Sequence, residues 1–161
     1  MRNIAKFFLH PLAIWIIVFQ LISLTIGIIT KAGMYPWYIE LNKSFLTPPG
    51  YVFGIIWPLL YCCLAIFGWL LKKKRHRSIF NKLFQCYWIQ MLFNWLWSPV
   101  FFNFHFTRFA LTILIVIVAI NAYIITKLID LKKIQLIYML LPYFLWICFA
   151  LYLNTMIVIM N

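Results

Sequence analysis

Long apolar stretches alternate with short polar ones along the whole chain. Crossing a hydrocarbon layer takes some 20 residues at about 1.5 Å each. Five runs are long enough: 11–30, 51–71, 83–103, 109–129 and 134–159. The last four are joined by short connections, which predicts adjacent antiparallel helices. The connection from 31 to 50 is longer, contains Pro36, Pro48 and Pro49, and predicts an ordered, lid-like loop over one end of the bundle. The runs are too long and too uniformly apolar for the alternating strands of a barrel. The expected fold is an all-α integral membrane protein, a bundle of five transmembrane helices forming a single domain over 1–161.

Composition agrees with this reading. The chain is 66% hydrophobic and 10% charged, more apolar surface than a soluble fold of 161 residues hides. Its net charge of +12 marks a membrane face rather than a nucleic-acid partner in so apolar a chain. Arg2 and Lys6, then Lys72, Lys73, Lys74, Arg75, Arg77 and Lys82, then Lys127, Lys132 and Lys133 gather on one face. The other face keeps Lys31, Lys43 and Arg108. This bias predicts a cytoplasmic N-terminus, an external C-terminus and an external 31–50 loop. Arg2 and Lys6 ahead of an apolar run also suit a signal peptide. The run is too long and lacks a small-x-small cleavage site, so a retained first helix is expected.

The apolar runs are not uniform. Gln90, Asn94, Trp97, Ser98 and Phe101 fall on one stripe of the third run. An amide facing lipid lacks partners, so the stripe is expected to face protein or a cavity. In the second run Phe53, Trp57 and Tyr61 repeat every four residues, with Pro58 alongside. In the fifth, Trp146, Ala150 and Asn154 do the same after Pro142-Tyr143. Pro99 gives the third run its own proline. A proline frees a carbonyl and bends a helix, which is tolerated where neighbours or a cavity take up the slack. Two readings fit: an inward aromatic box able to stack on a flat apolar ligand, or interior packing and interhelical hydrogen bonding alone.

Several chemistries have no residues to support them. The carboxylates are Glu40 and Asp130, on opposite faces, so no acid/base pair forms. His10, His76 and His105 lie at different heights and make no ligand cluster, so no metal site is expected. Cys62, Cys63, Cys86 and Cys148 sit in apolar runs without metal spacing and read as buried small hydrophobes. There is no phosphate-cradling glycine loop and no helix-borne charge of the kind proton-coupled transporters use.

The residues that remain resemble the tryptophan-rich sensory protein/translocator protein family (peripheral-type benzodiazepine receptor-like) over roughly 37–154. The matching pieces are Trp37-Tyr38, Leu41-x-Lys43, Pro48-Pro49-x-Tyr51-Val52-Phe53-Gly54-x-x-Trp57 and Leu60-Tyr61. They continue with Gln90-x-x-x-Asn94-Trp95-x-Trp97-x-x-x-Phe101-Phe102 and Pro142-Tyr143-x-x-Trp146-x-x-Phe149-Ala150-x-x-Leu153-Asn154. The resemblance implies a five-helix bundle with a pocket capped by the first loop. It implies porphyrins such as protoporphyrin IX or haem, benzodiazepine-type and isoquinoline carboxamide drugs and, in animal members, cholesterol as ligands. Carried over by position, Trp57, Asn94, Trp146 and Ala150 would line the pocket, with Tyr61 and Trp97 nearby.

The chain also departs from the family pattern. Lys43-Ser44-Phe45-Leu46-Thr47-Pro48-Pro49 lacks the family's first proline and its tryptophan, and Tyr51 replaces the usual tryptophan. The C-terminal cholesterol motif is absent, because no Lys or Arg follows Tyr152; Val118-x4-Tyr123-x3-Lys127 fits only its loose form. Gln85 and Ile89 stand where family dimers use small residues, so the homodimer that the resemblance implies stays open, without support from those positions.

Three functions are open at this point. The first is a receptor or sensor binding tetrapyrroles and similar flat hydrophobic ligands at Phe53, Trp57, Tyr61, Asn94, Trp97, Trp146, Ala150 and Asn154. The second is a transporter of tetrapyrroles or lipids, against which the missing inverted repeat and coupling charge both count. The third, implied by the resemblance, is light- and oxygen-dependent porphyrin degradation with Trp57 and Trp146 as the photochemical residues. None needs a resident cofactor or conventional catalysis.

Overall fold

A computed structural model describes residues 11–161; Arg2, Lys6 and His10 lie outside the described residues. The described chain is helical without a strand. Its elements are α1 (Pro11–Met34), a short α2 (Trp37–Glu40), α3 (Gly50–Lys74), α4 (Ser78–Ser98), α5 (Thr107–Asp130) and α6 (Ile134–Met160). A π-helical turn over Pro99–Asn103 extends α4. Helix α1 continues past the apolar run expected to stop at 30, and α4 begins before 83, because backbone hydrogen bonding does not stop where hydropathy falls.

By length and composition, α1, α3, α5 and α6 are each able to cross a membrane. Helix α4 falls outside that set because Lys82, Gln85, Gln90 and Asn94 lower its hydropathy. Its buried residues are Phe80, Leu83, Tyr87, Gln90, Met91, Asn94 and Ser98, a single face at spacings of three and four. Of the polar groups that make α4 the least apolar helix, Gln90 and Asn94 are buried and point inward, while Lys82 and Gln85 are exposed.

The helices pack in the order α1, α3, α6, α5, α4 around the bundle, with α1 returning to meet the π turn. One half of the bundle is solid. There Leu64, Phe67, Leu71, Phe80, Leu83 and Tyr87 are fully buried between α3 and α4. Gly68 permits this closeness: a Cβ on it would lie 2.5 Å from the Tyr87 ring. The Tyr87 hydroxyl in turn donates to the Leu64 carbonyl at 3.0 Å. The four cysteines, expected to be buried, are free and only half-buried.

The opposite half is looser. Pro58 lies inside the continuous helix α3, and Gln20 of α1 donates to the Pro58 carbonyl at 2.8 Å, pinning the two helices together there. At the far end of α1, Gly33 lies against the π turn, where a Cβ would come 2.4 Å from the Phe102 carbonyl oxygen. The π turn closes through the Phe104 N–H donating to the Pro99 carbonyl at 3.0 Å. Asn103 adds a second tie to α1 by donating to the Ile29 carbonyl at 3.2 Å.

The α1–α3 connection is fastened to α6. Ser44 and Tyr152 hydroxyls bond at 2.8 Å, and the Asn42 N–H donates to the Asn161 side-chain oxygen at 3.0 Å. The Asn161 amide donates back to the Asn42 carbonyl at 3.0 Å. Replacing Asn161 by Ala removes both arms of this clasp, worth about 1 kcal/mol for exposed groups. The expected outcome is faster hydrogen–deuterium exchange confined to 41–46, with the helices unchanged; unaltered exchange there would show that the clasp does not hold the loop.

Candidate ligand-binding cavity

Beyond the Gln20–Pro58 contact, α1 and α3 part. Gly27 and Gly54 face this gap with nothing within 4 Å of a would-be Cβ on either. The space behind them is a cavity of about 1400 Å³, walled by α1, the α1–α3 connection, α3, α4 with its π turn, and α6. Helix α5 contributes no lining residue. The cavity opens where its exposed lining residues stand: Leu24, Ile28 and Lys31 on α1, and Tyr51 on α3.

Its interior is aromatic. Phe53 meets Trp146 edge-on, ring centroids 5.6 Å apart, which ties α3 to α6. Trp57 tilts against Tyr61 at 5.9 Å, and Trp97 stacks on Phe101 at 5.4 Å. The Trp146 N–H is buried without a partner. Its indole is positioned by contacts with Phe53 and with Phe149, 5.7 Å away, so turning it breaks no hydrogen bond.

A polar chain forms the floor. The Tyr61 hydroxyl donates to the Asn94 oxygen at 3.0 Å, and the Asn94 amide donates to the Tyr143 hydroxyl at 3.0 Å. Tyr143 donates onward to the Gln90 oxygen at 2.8 Å. The Asn121 amide of α5 reaches the same oxygen at 3.4 Å. One connected network thus joins α3, α4, α5 and α6, and only Tyr61 and Asn94 of it face the cavity. On the far wall the Thr30 and Ser98 hydroxyls bond to each other, fixing α1 to α4.

Of the residues singled out from sequence, Phe53, Trp57, Tyr61, Asn94, Trp97, Trp146 and Ala150 line this one cavity. Asn154 does not. It is buried one helical turn further along α6, where its oxygen accepts from the Trp97 indole at 3.4 Å and its amide donates to the Thr107 carbonyl at 2.9 Å. The shared stripe carried Asn154 past the hollow and onto the start of α5, so it backs Trp97 instead.

Sequence reasoning missed the α1 wall, and it expected the loop over the pocket without naming the residues that line it. Gln20, Ser23, Gly27 and Thr30 line the cavity at spacings of three and four, a small-and-polar stripe that was present in the first apolar run. The loop contributes Tyr38, Lys43, Ser44, Thr47, Pro48 and Pro49. Burial raises the Tyr38 phenol above its ordinary pKa, so it stays neutral. Lys43 is the charged group of this wall. No carboxylate lines the cavity.

Residues 13–160 match the TspO/MBR family. The chain belongs to the TspO/MBR family. That match takes in every element of the cavity wall, and with the apolar helices it makes this an integral, multi-pass membrane protein. Among TspO/MBR relatives, an uncharacterized membrane protein, YtaB, of Bacillus subtilis (strain 168) is 30% identical over 146 residues, 86% of this chain and 92% of that one. A tryptophan-rich protein TspO of Archaeoglobus fulgidus is 30% identical over 135 residues, 82% and 84% of the two chains. A tryptophan-rich sensory protein of Cereibacter sphaeroides is 31% identical over 80 residues, 50% and 49% of the two chains.

Proposed function

We propose that the protein is a membrane receptor or sensor that binds porphyrins and similar flat hydrophobic molecules in the cavity between α1, α3, α4 and α6. The observation that carries this reading is the convergence of Phe53, Trp57, Tyr61, Trp97 and Trp146 on one space. At about 1400 Å³ that space exceeds the roughly 300–1,000 Å³ of common small-molecule pockets and suits a macrocycle. Indole and phenyl faces supply dispersion and stacking to a flat guest, while the Tyr61–Asn94 pair offers it one polar edge.

The reading includes the remaining architecture. Helix α4 acts as a fifth span, carried by the partners its amides find inside the bundle rather than by hydropathy. The 72–82 cations face the cytoplasm, which places the α1–α3 connection and the C-terminus on the other side, with the connection acting as a lid.

Protoporphyrin IX titrated into the detergent-purified protein, followed by the porphyrin's own absorbance, tests the site. Trp57→Ala and Trp146→Ala are each expected to weaken binding about tenfold, near the worth of one lost stacking partner. Unchanged affinity in both variants would remove the aromatic cavity as the binding site.

A further inference from the structure

We propose that Lys31 makes the cavity selective for guests bearing an acidic group, so that the preferred ligand is a flat apolar ring system with a carboxylate at its edge. This rests on the cavity being the porphyrin site and goes on to name what recognises the guest's polar end.

Two cations and no carboxylate line the cavity, so its field is positive and uncompensated from within. The two lysines are not equivalent. An ammonium has three N–H donors, and Lys43 spends all of them on its own loop. It donates to the carbonyls of Tyr38 at 2.7 Å, Ile39 at 3.0 Å and Leu41 at 3.0 Å. Lys43 therefore shapes the connection and adds positive potential, with no donor left for a ligand.

Lys31 has the opposite character. It stands in the last turn of α1, lines the cavity at its open side, and makes no hydrogen bond or ion pair among the described residues. Of the two carboxylates, Asp130 is paired with Lys127 at 3.1 Å, and Glu40 does not line the cavity. The C-terminal end of a helix is a favourable place for a basic side chain, and none of the donors of Lys31 is spent on the protein.

The geometry also limits the shape of the guest. Gln20 marks the level of Pro58, next to Trp57, where α1 and α3 touch. Eleven residues of helix separate Gln20 from Lys31, a rise of about 16 Å. A rigid ring resting on Trp57 reaches the Lys31 level only through a polar group projecting from its rim. A carboxylate in that place meets an unspent ammonium beside apolar walls, where charge-assisted hydrogen bonds are stronger than in open water. A lysine that merely served lipid phosphates at the membrane boundary would give the protein no preference between an acid and its ester.

The test compares protoporphyrin IX with its dimethyl ester on the full chain in non-ionic detergent. The ratio of the two dissociation constants is read in the unmodified protein, K31Q and K31R. Taking each variant's ratio against that of the unmodified protein cancels the unequal partition of acid and ester into micelles. The expected result is a ratio about fivefold more favourable to the acid than in K31Q, the size of a partly exposed ion pair. K31R is expected to keep that preference, and the ester's own affinity should be the same in all three. An unchanged ratio in K31Q, with both porphyrins bound, overturns the role of Lys31 and leaves the aromatic site standing. Failure of both porphyrins to bind the unmodified protein overturns the site and this proposal together.

Discussion

Replacing Tyr143 by Ala is expected to cost about 3–5 kcal/mol, the range for truncating a large buried aromatic, against a total stability of about 5–15 kcal/mol for an ordinary domain. Tyr143 is fully buried in α6 and is the hinge of the polar floor, accepting from Asn94 and donating to Gln90. Its loss opens a hole beside the existing cavity and leaves two amides short of a partner. Tyr143→Phe separates the two contributions, since it keeps the ring and removes only the hydroxyl. Interhelical hydrogen bonds in membranes average about 0.6 kcal/mol, so the Phe variant should lose little. Thermal unfolding in detergent, followed by size-exclusion of the soluble fraction, measures both. Equal melting points for Ala and Phe would mean that the ring is not packed as described.

Gly33→Ala is expected to destabilise the protein by about 1–3 kcal/mol, the usual cost of forcing an extra group into a packed contact. The added Cβ would lie 2.4 Å from a backbone oxygen of the π turn, and backbone cannot rotate away as a side-chain tip can. The same substitution at Gly27, where nothing lies within 4 Å, should be neutral or stabilising by up to about 1 kcal/mol through helix propensity. The two variants make the same chemical change in one helix with opposite expected signs. Melting temperatures that fall together would show that α1 and the π turn do not meet at Gly33.

The helices were legible because hydropathy is set by the solvent and each residue reports it locally. The inward direction of the aromatic stripes was legible too, since helical spacing puts Phe53, Trp57 and Tyr61 on one face before any neighbour is known. What spacing cannot supply is depth. Asn154 shares a face with Trp146 and Ala150 yet lies a turn beyond the hollow, because the level at which α6 passes α4 and α5 is fixed by packing across the bundle. The pairing of Asn94 with Tyr143, 49 residues apart, was hidden for the same reason. The α1 wall was hidden for a different one: Ser23, Gly27 and Thr30 are small, and small residues announce close packing as readily as open space.

The polar floor sets an order of events as the chain is made. Gln90 and Asn94 are synthesised well before Tyr143, the side chain that links them. A nascent chain halted after α5 holds both amides with Tyr61 and Asn121 for company but without the phenol that joins the two pairs. The network is therefore complete only when the last hairpin docks, and a chain that ends before Tyr143 leaves Gln90 and Asn94 without the side chain that joins them.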